Sequence, residues 1–510
     1  MQINILEYFE KTLKNFPDKT AVIDGDRRLS FAVLGNHAKI LACLLISRLD
    51  KKISTPIGVF LPKSFESVFC DIGILYSGNA YMNMDVKSPV SRIINVISVI
   101  KPSVIISDNK HAAILENENP GLEIIRIDDI DFSGDYEPEL IFKQIDKLID
   151  TDPKCVINTS GSTGTPKGVV LNHKSFIDFM EWADDTFGFS GDERIGSLSP
   201  IVFDIYSFEL CMLMAKAGTI VLLPESMAIF PVKILELLQK ERVSFLFWVP
   251  TIMVNIANME LLGEINLPDL RLVWFAGEVF PTKQFNYWRG NLPRAKFANL
   301  YGPIEITLDC TYFIIDRELK DDEPIPIGYP CRNTDILILN DEDCPAAGGE
   351  EGELCVRGTS LAMGYYNNPE KTSAAFVQNP LNKSYPEIIY RTGDMVFRNA
   401  LGEIVFKGRK DSLIKHYGYR IELGEIEHVT VNSLKLADNC CCVYNRAEKK
   451  ITLFYEADDD ISEAEFREIL GTQLPKYMIP TVYIRLAEMP RNNNGKIDRL
   501  FLSNRVNEIG

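Results

Sequence analysis

Between residues 55 and 340 short apolar runs alternate with segments whose apolar residues recur every three or four positions. TPIGVFLP (55–62) has the unbroken apolar character of a strand buried on both faces, and ESVFCDIGILYSG after it that of a helix. VSRIINVISVI (90–100) carries apolar residues at 90, 93, 94, 97 and 100, a helical stripe that Lys101-Pro102 should stop. SVIISD (103–108) reads as the next strand, and the same alternation returns in VKILELLQKERVSFLFWVP and LRLVWFAGE. Strands alternating with helices predict α/β layers on largely parallel sheets.

Beyond about residue 330 the pattern changes to alternating runs punctuated by Asn and Gly, as in EIIYRTGDMVFRNALGEIVFKGR, which predicts hairpins or a small barrel. Near 410 it changes again, to a compact mixture of helical and strand-like segments such as EAEFREILGTQL and ITLFYEA. The expected fold is therefore α/β: two layered subdomains and a β-barrel-like subdomain in residues 1–410, then a small α+β unit in 411–510. A chain of 510 residues is too long for one core, which agrees with that division.

A formal charge of −17 excludes a general nucleic-acid or anionic-membrane binder. Eleven cysteines form no CxxC pair, and Cys440, Cys441 and Cys442 would alternate faces of a strand, so reduced packed thiols in a cytoplasmic protein are expected. Leu6, Phe9, Leu13 and Phe16 mark an amphipathic first helix, not a signal peptide. The most apolar stretch, 201–223, contains Asp204, Glu209 and Lys216, wrong for a membrane span.

NTSGSTGTPKGVV (158–170) follows a strand-like KCVINT. Glycines expose successive backbone N–H groups, Ser160, Ser162 and Thr163 add hydroxyls, and Lys167 adds a point charge, a combination suited to phosphate. The spacing is not that of a Walker loop, because the residue five after Gly161 is Pro166. Alone, such a stretch would more often be a flexible turn.

TSGSTGTPKG, together with RLSFAVL (28–34), NLYGPIE (299–305), YRTGD (390–394), GRKD (408–411), GYRIELGEIE (418–427) and NGKIDR (494–499), resembles in order the motifs of the adenylate-forming superfamily. The resemblance is strongest to stand-alone nonribosomal peptide synthetase adenylation domains and D-alanine–D-alanyl carrier protein ligases. It implies ATP and Mg2+ as cofactors. It further implies that Thr159, Ser160, Gly161, Ser162, Thr163, Gly164 and Lys167 close over the β- and γ-phosphates, with Asn299, Leu300 and Tyr301 at adenine. Gly302 and Ile304 would lie near the α-phosphate, where Ile304 stands in place of the family's usual Thr. Glu305 would hold Mg2+, Asp394 the ribose hydroxyls, and Phe406 and Arg409 the ribose and phosphate surroundings. Lys496 matches the catalytic lysine and Asp411 the hinge about which the C-terminal unit turns.

Asp204 falls where amino-acid-activating members hold the substrate α-ammonium; capping of the helix that begins there is the plain alternative. The remaining pocket positions are Ile205, Phe208, Phe247, Trp274, Ala276, Leu300, Leu308 and Asp309. Three aromatics among them favour a small side chain, while Asp309 either accepts a hydrogen bond from a hydroxylated substrate or lies just outside. No carrier-domain signature follows Lys496, so the resemblance implies a phosphopantetheinylated carrier protein acting in trans. The alternative is an acyl- or aryl-CoA ligase, with CoA as thiol acceptor.

Overall fold

The computed structural model describes residues 3–159, 166–410, 413–446, 448–457, 461–491 and 497–509. Lys496, Asp411 and the loop residues Ser160, Gly161, Ser162, Thr163 and Gly164 lie outside them.

The strand–helix alternation builds two large sheets. In the first, of nine strands, six run parallel side by side: Lys296–Tyr301, Leu272–Phe275, Phe245–Trp248, Arg194–Ser197, Thr219–Leu222 and Thr20–Asp24. The second has seven, with Pro153–Thr159, Ala80–Asn83, Pro56–Phe60, Ile105–Ser107 and Ile124–Arg126 parallel. Every residue of Pro56–Phe60, Ala80–Asn83 and Phe245–Trp248 is buried, the consequence of helices on both faces and the reason these strands read as unbroken apolar runs. The helix expected at 90–100 is Val90–Ile100; it buries Ile93, Val96, Ile97 and Ile100 and ends where Lys101 turns left-handed at φ 53°.

One core joins the two sheets, with Ile57 and Val59 from the second and Ile195 and Phe247 from the first. The helix Asp204–Lys216 lies within it, buried along Ile205 to Met214, and accepts at Ser207 Oγ a 2.8 Å hydrogen bond from Tyr81 in the second sheet. A helix apolar on all sides is a core helix, which accounts for the apolar stretch 201–223. The helix Phe31–Arg48 is long and apolar enough to cross a membrane; here Phe31, Leu34, Leu41 and Leu45 sit in the same core, and Lys39 pairs with Glu10 at 2.7 Å.

The third sheet is antiparallel, built from Thr334–Leu339, Gly352–Gly358, Ile388–Arg398, Phe376–Gln378 and Ile404–Arg409. It joins the first sheet where Ile327 N and Gly328 N donate to Ile404 O at 2.8 and 3.2 Å. The chain after 413 has its own core, including Ile421, Ile426, Cys442, Leu453, Phe466 and Leu470. Cys440 and Cys442 point into it from the strand Asn439–Asn445, while Cys441 faces the opposite side with Phe454, Met489 and Leu502. All eleven cysteines are free thiols, and no group of three or more His, Cys, Asp or Glu among the described residues could hold a metal ion.

Candidate active site

The parallel strands of both sheets end at a common cleft. Pro153–Thr159 and Lys167–Asn172 form an antiparallel pair in which Thr159 faces Lys167 across the base of the glycine-rich loop. Lys167 Nζ lies 2.8 Å from Glu422 Oε1 and 5.6 Å from the centre of the Tyr365 ring.

On the opposite side Lys296–Tyr301 runs into a tight turn at Ile304–Ile306. Gly302 is required there, since a Cβ would sit 2.2 Å from the Leu308 carbonyl oxygen. Tyr301 Oη donates to Asp394, whose other oxygen accepts from Arg409 at 2.6 Å, and the Tyr301 and Phe406 rings stand 6.4 Å apart. Asn299, Leu300, Tyr301, Asp394, Phe406 and Arg409 all line one cavity. Glu305 is fully buried and accepts from Tyr365 Oη at 2.8 Å and Arg420 at 2.5 Å. Burial pushes its carboxyl upward, but the Arg420 charge and the two hydrogen bonds outweigh that and hold it below the usual range.

A second cavity contains Asp204, Ile205, Phe247, Ala276, Leu308 and Asp309, with Gly302 and Ile304 at its edge. The N-cap of the Asp204–Lys216 helix is Phe203, which makes no side-chain cap; Asp204 is the first helical residue, and its Oδ1 accepts from Ile205 N at 2.9 Å. It is therefore a first-turn carboxylate facing the cavity, not the cap. Burial raises it to about 6, against the Ile205 N–H and the positive Lys415. Asp309, 3% exposed, is pushed well above the ordinary value by burial and then by the Asp204 charge.

Two expected pocket residues stand elsewhere, and Leu300, expected at both sites, is found at one of them. Phe208 and Trp274 are fully buried and stacked on each other, with centroids 5.2 Å apart, behind Phe247. Leu300 lines the Tyr301 cavity. Of the three aromatics, only Phe247 meets the space beside Asp204.

The hairpin Leu413–His416/Tyr419–Glu422 enters the cleft between the cavities, where the resemblance has GYRIELGEIE (418–427) arrive when the C-terminal unit turns; what the sequence did not disclose is which groups it engages. Gly418 N donates to Glu278 Oε1 at 2.8 Å; Gly418 has φ +82°, and a Cβ there would come within 2.9 Å of Val249. Arg420 pairs with Glu305, Glu422 with Lys167 and Glu425 with Arg92. Lys415 opens onto both cavities, 5.7 Å from the Tyr301 ring centre. The available signal was the two-residue period of YRIE: Arg420 and Glu422 share one strand face while Ile421 turns into the C-terminal core.

Residues 9–366 match the AMP-binding enzyme family. The chain is 31% identical to zwittermicin A synthase ZmaJ of Bacillus cereus over 99% of its own length and 95% of that protein. It is 29% identical to tyrocidine synthase 1 of Brevibacillus parabrevis, over 97% of this chain but 44% of that one. Among solved structures, the Vibrio cholerae adenylation domain AlmE in complex with glycyl-adenosine-5'-phosphate superposes with a TM-score of 0.84 at 19% identity, covering 100% of this chain and 98% of AlmE. The o-succinylbenzoate CoA synthetase MenE of Bacillus subtilis gives 0.82 at 18%, with 99% of each chain covered. Two charged cavities meeting beside a glycine-rich loop, and a family match over most of the sequence, lead to one conclusion: the chain belongs to the AMP-binding enzyme family and is an adenylate-forming enzyme.

Proposed function

We propose that the chain joins a small amino acid to AMP, releasing pyrophosphate, and passes the aminoacyl group to the phosphopantetheine thiol of a separate carrier protein. The observation that carries the reading is Asp204. Among the described residues it forms no ion pair, the Lys415 charge acting on it only across the cavity they share, and burial makes its ionised form costly. A substrate ammonium supplies the missing cation. The glycyl-adenosine-5'-phosphate bound by AlmE, and the structure of PA1221 with its adenylation and PCP domains, support the amino acid and the carrier respectively. Ile205, Ala276 and Leu308 leave room for a short side chain, and Asp309 offers an acceptor to a serine-type hydroxyl.

In this reading residues 1–410 bind the substrates and 411–510 form a lid turning at Asp411. Tyr301 presents its face to adenine and Asp394 accepts the ribose hydroxyls. Lys167 and the glycine-rich loop hold the β- and γ-phosphates. Glu305, a single ionised carboxylate, fits Mg2+, which takes most of its ligands from water and phosphate. When bound, the metal neutralises phosphate charge. The substrate carboxylate oxygen, directed by Asp204, attacks the α-phosphorus as the bond to pyrophosphate breaks; a thiolate then attacks the carbonyl carbon and AMP leaves.

In the described arrangement Arg420 and Glu422 engage the very groups that the metal and the phosphates would use, so it suits the second step. Arg420→Ala is expected to slow transfer to the carrier about tenfold or more while pyrophosphate exchange stays within about twofold. Loading of a holo carrier, measured beside exchange, checks this; equal losses would make Arg420 a fold residue.

The likeness to MenE keeps the CoA-ligase reading as second. Pyrophosphate exchange against all L- and D-amino acids, acetate, fatty and aryl acids decides between them. Activity with serine or alanine is expected; exchange only with acids lacking an amino group would select the CoA ligase.

A further inference from the structure

The segment 197–203 delivers Asp204 from the first sheet, yet its backbone is held from the second. Lys63 Nζ reaches the carbonyls of Ser197 and Ser199, each at 2.7 Å. Asn83, the last residue of the strand Ala80–Asn83, donates from Nδ2 to the Ile201 carbonyl at 3.1 Å and to Asp71 Oδ2 at 3.0 Å. It is 5% exposed and stands in the wall of the Asp204 cavity.

Asp71, in the helix Phe65–Tyr76, is fully buried, and its Oδ1 has no partner. Burial raises it to about 7, against the hydrogen bond from Asn83, the neighbouring Tyr206 hydroxyl and the charge of Lys154. Such a group is costly for the fold. What it provides is direction: with an acceptor-rich carboxylate on one side and the Ile201 carbonyl on the other, the Asn83 amide must present Nδ2 to both.

The strand bearing Asn83 pairs through Tyr81 and Cys155 with the strand that enters the glycine-rich loop. The Asn83–Ile201 bond is thus a strut between the sheet that leads into the glycine-rich loop and the three residues, 201–203, that lead to Asp204. A bimolecular reaction between two bound anions is sensitive to displacements of about 1 Å, and this strut sets one such separation.

We propose that Asn83, oriented by Asp71, is a positioning residue that fixes the Asp204 carboxylate relative to the strand Pro153–Thr159 so that the substrate ammonium is recognised; the proposal rests on Asp204 being the ammonium site. It acts through Asp204 and touches no reacting atom. The test compares the full-length wild type, Asn83→Ala, Asp204→Ala and the double variant in pyrophosphate exchange. Each is assayed with the preferred amino acid and with the same acid lacking its amino group.

Asn83→Ala is expected to lower the ratio of the two kcat/KM values about tenfold, with the KM for ATP unchanged and some loss of melting temperature, since Asp71 loses its donor. In the Asp204→Ala background the same change should leave the ratio where it is, since the group it positions is gone. Should Asn83→Ala melt early, Asn83→Ser, which keeps a donor, is read in its place and should give an intermediate ratio. A ratio equal to that of the wild type, or equal losses with both acids, makes Asn83 a packing residue and overturns the proposal. A wild type that draws no distinction between the acids removes the ammonium site, and with it both this proposal and the amino-acid reading.

Discussion

Lys496→Ala is expected to cut amino-acid-dependent pyrophosphate exchange by about 10²–10³-fold, the cost of deleting one transition-state donor from a water-excluded site. ATP and the amino acid carboxylate are both anions, and the charge between them peaks as the phosphorus–oxygen bond forms. Of the cations in the cleft, Arg420 and Lys167 are committed to Glu305 and Glu422. Lys415 opens onto both cavities, but it belongs to the hairpin that also supplies Arg420 and Glu422. On the proposed reading Glu305 and Lys167, here paired with the hairpin, would be needed by Mg2+ and pyrophosphate, so adenylation would require the C-terminal unit turned away and a different cation brought in. Lys496, outside the described residues, is the residue that the resemblance assigns to that task. Supplying preformed aminoacyl-adenylate bypasses the step, and transfer to the holo carrier should then stay within about threefold of the wild type. Equal losses in exchange and transfer would mean that Lys496 supports the lid itself.

The layered fold was legible because its determinants are local and redundant. Val90–Ile100 announces itself by five apolar residues at helical spacing, and Pro56–Phe60 by an unbroken run that only a doubly covered strand tolerates. Even the three adjacent cysteines take the alternating faces that a strand dictates. The site was legible as positions, not as partnerships. Nothing near Glu305 foretells that its cation stands 115 residues away on a hairpin, because ion pairs across domains leave no period in the sequence. Likewise Phe208 is one helical turn from Asp204, yet its side chain turns away from the cavity to stack on Trp274. Asn83 was missed altogether: an asparagine at the end of a buried strand acquires its meaning only from Asp71 and from a carbonyl on the other sheet.

Asp204→Ala is expected to lower kcat/KM for the amino acid about 30- to 1,000-fold, the range for removing one partner of a desolvated charge pair, with the KM for ATP nearly unchanged. An acid without an amino group should lose little or even gain, because the substitution removes a carboxylate that burial already disfavours in the ionised form. The pH dependence gives the same assignment a second readout. With the site empty, Asp204 takes up its proton near pH 6, whereas a bound ammonium stabilises the ionised form and lowers that value. Binding therefore releases a proton as pH falls below about 6, so affinity is full above that pH and declines by up to about tenfold per unit beneath it. Asp204→Ala should flatten this limb. An unaltered acid limb in the variant would assign the titration to another group, and an unaltered preference for amino acids would return Asp204 to a purely structural place in the first turn of its helix.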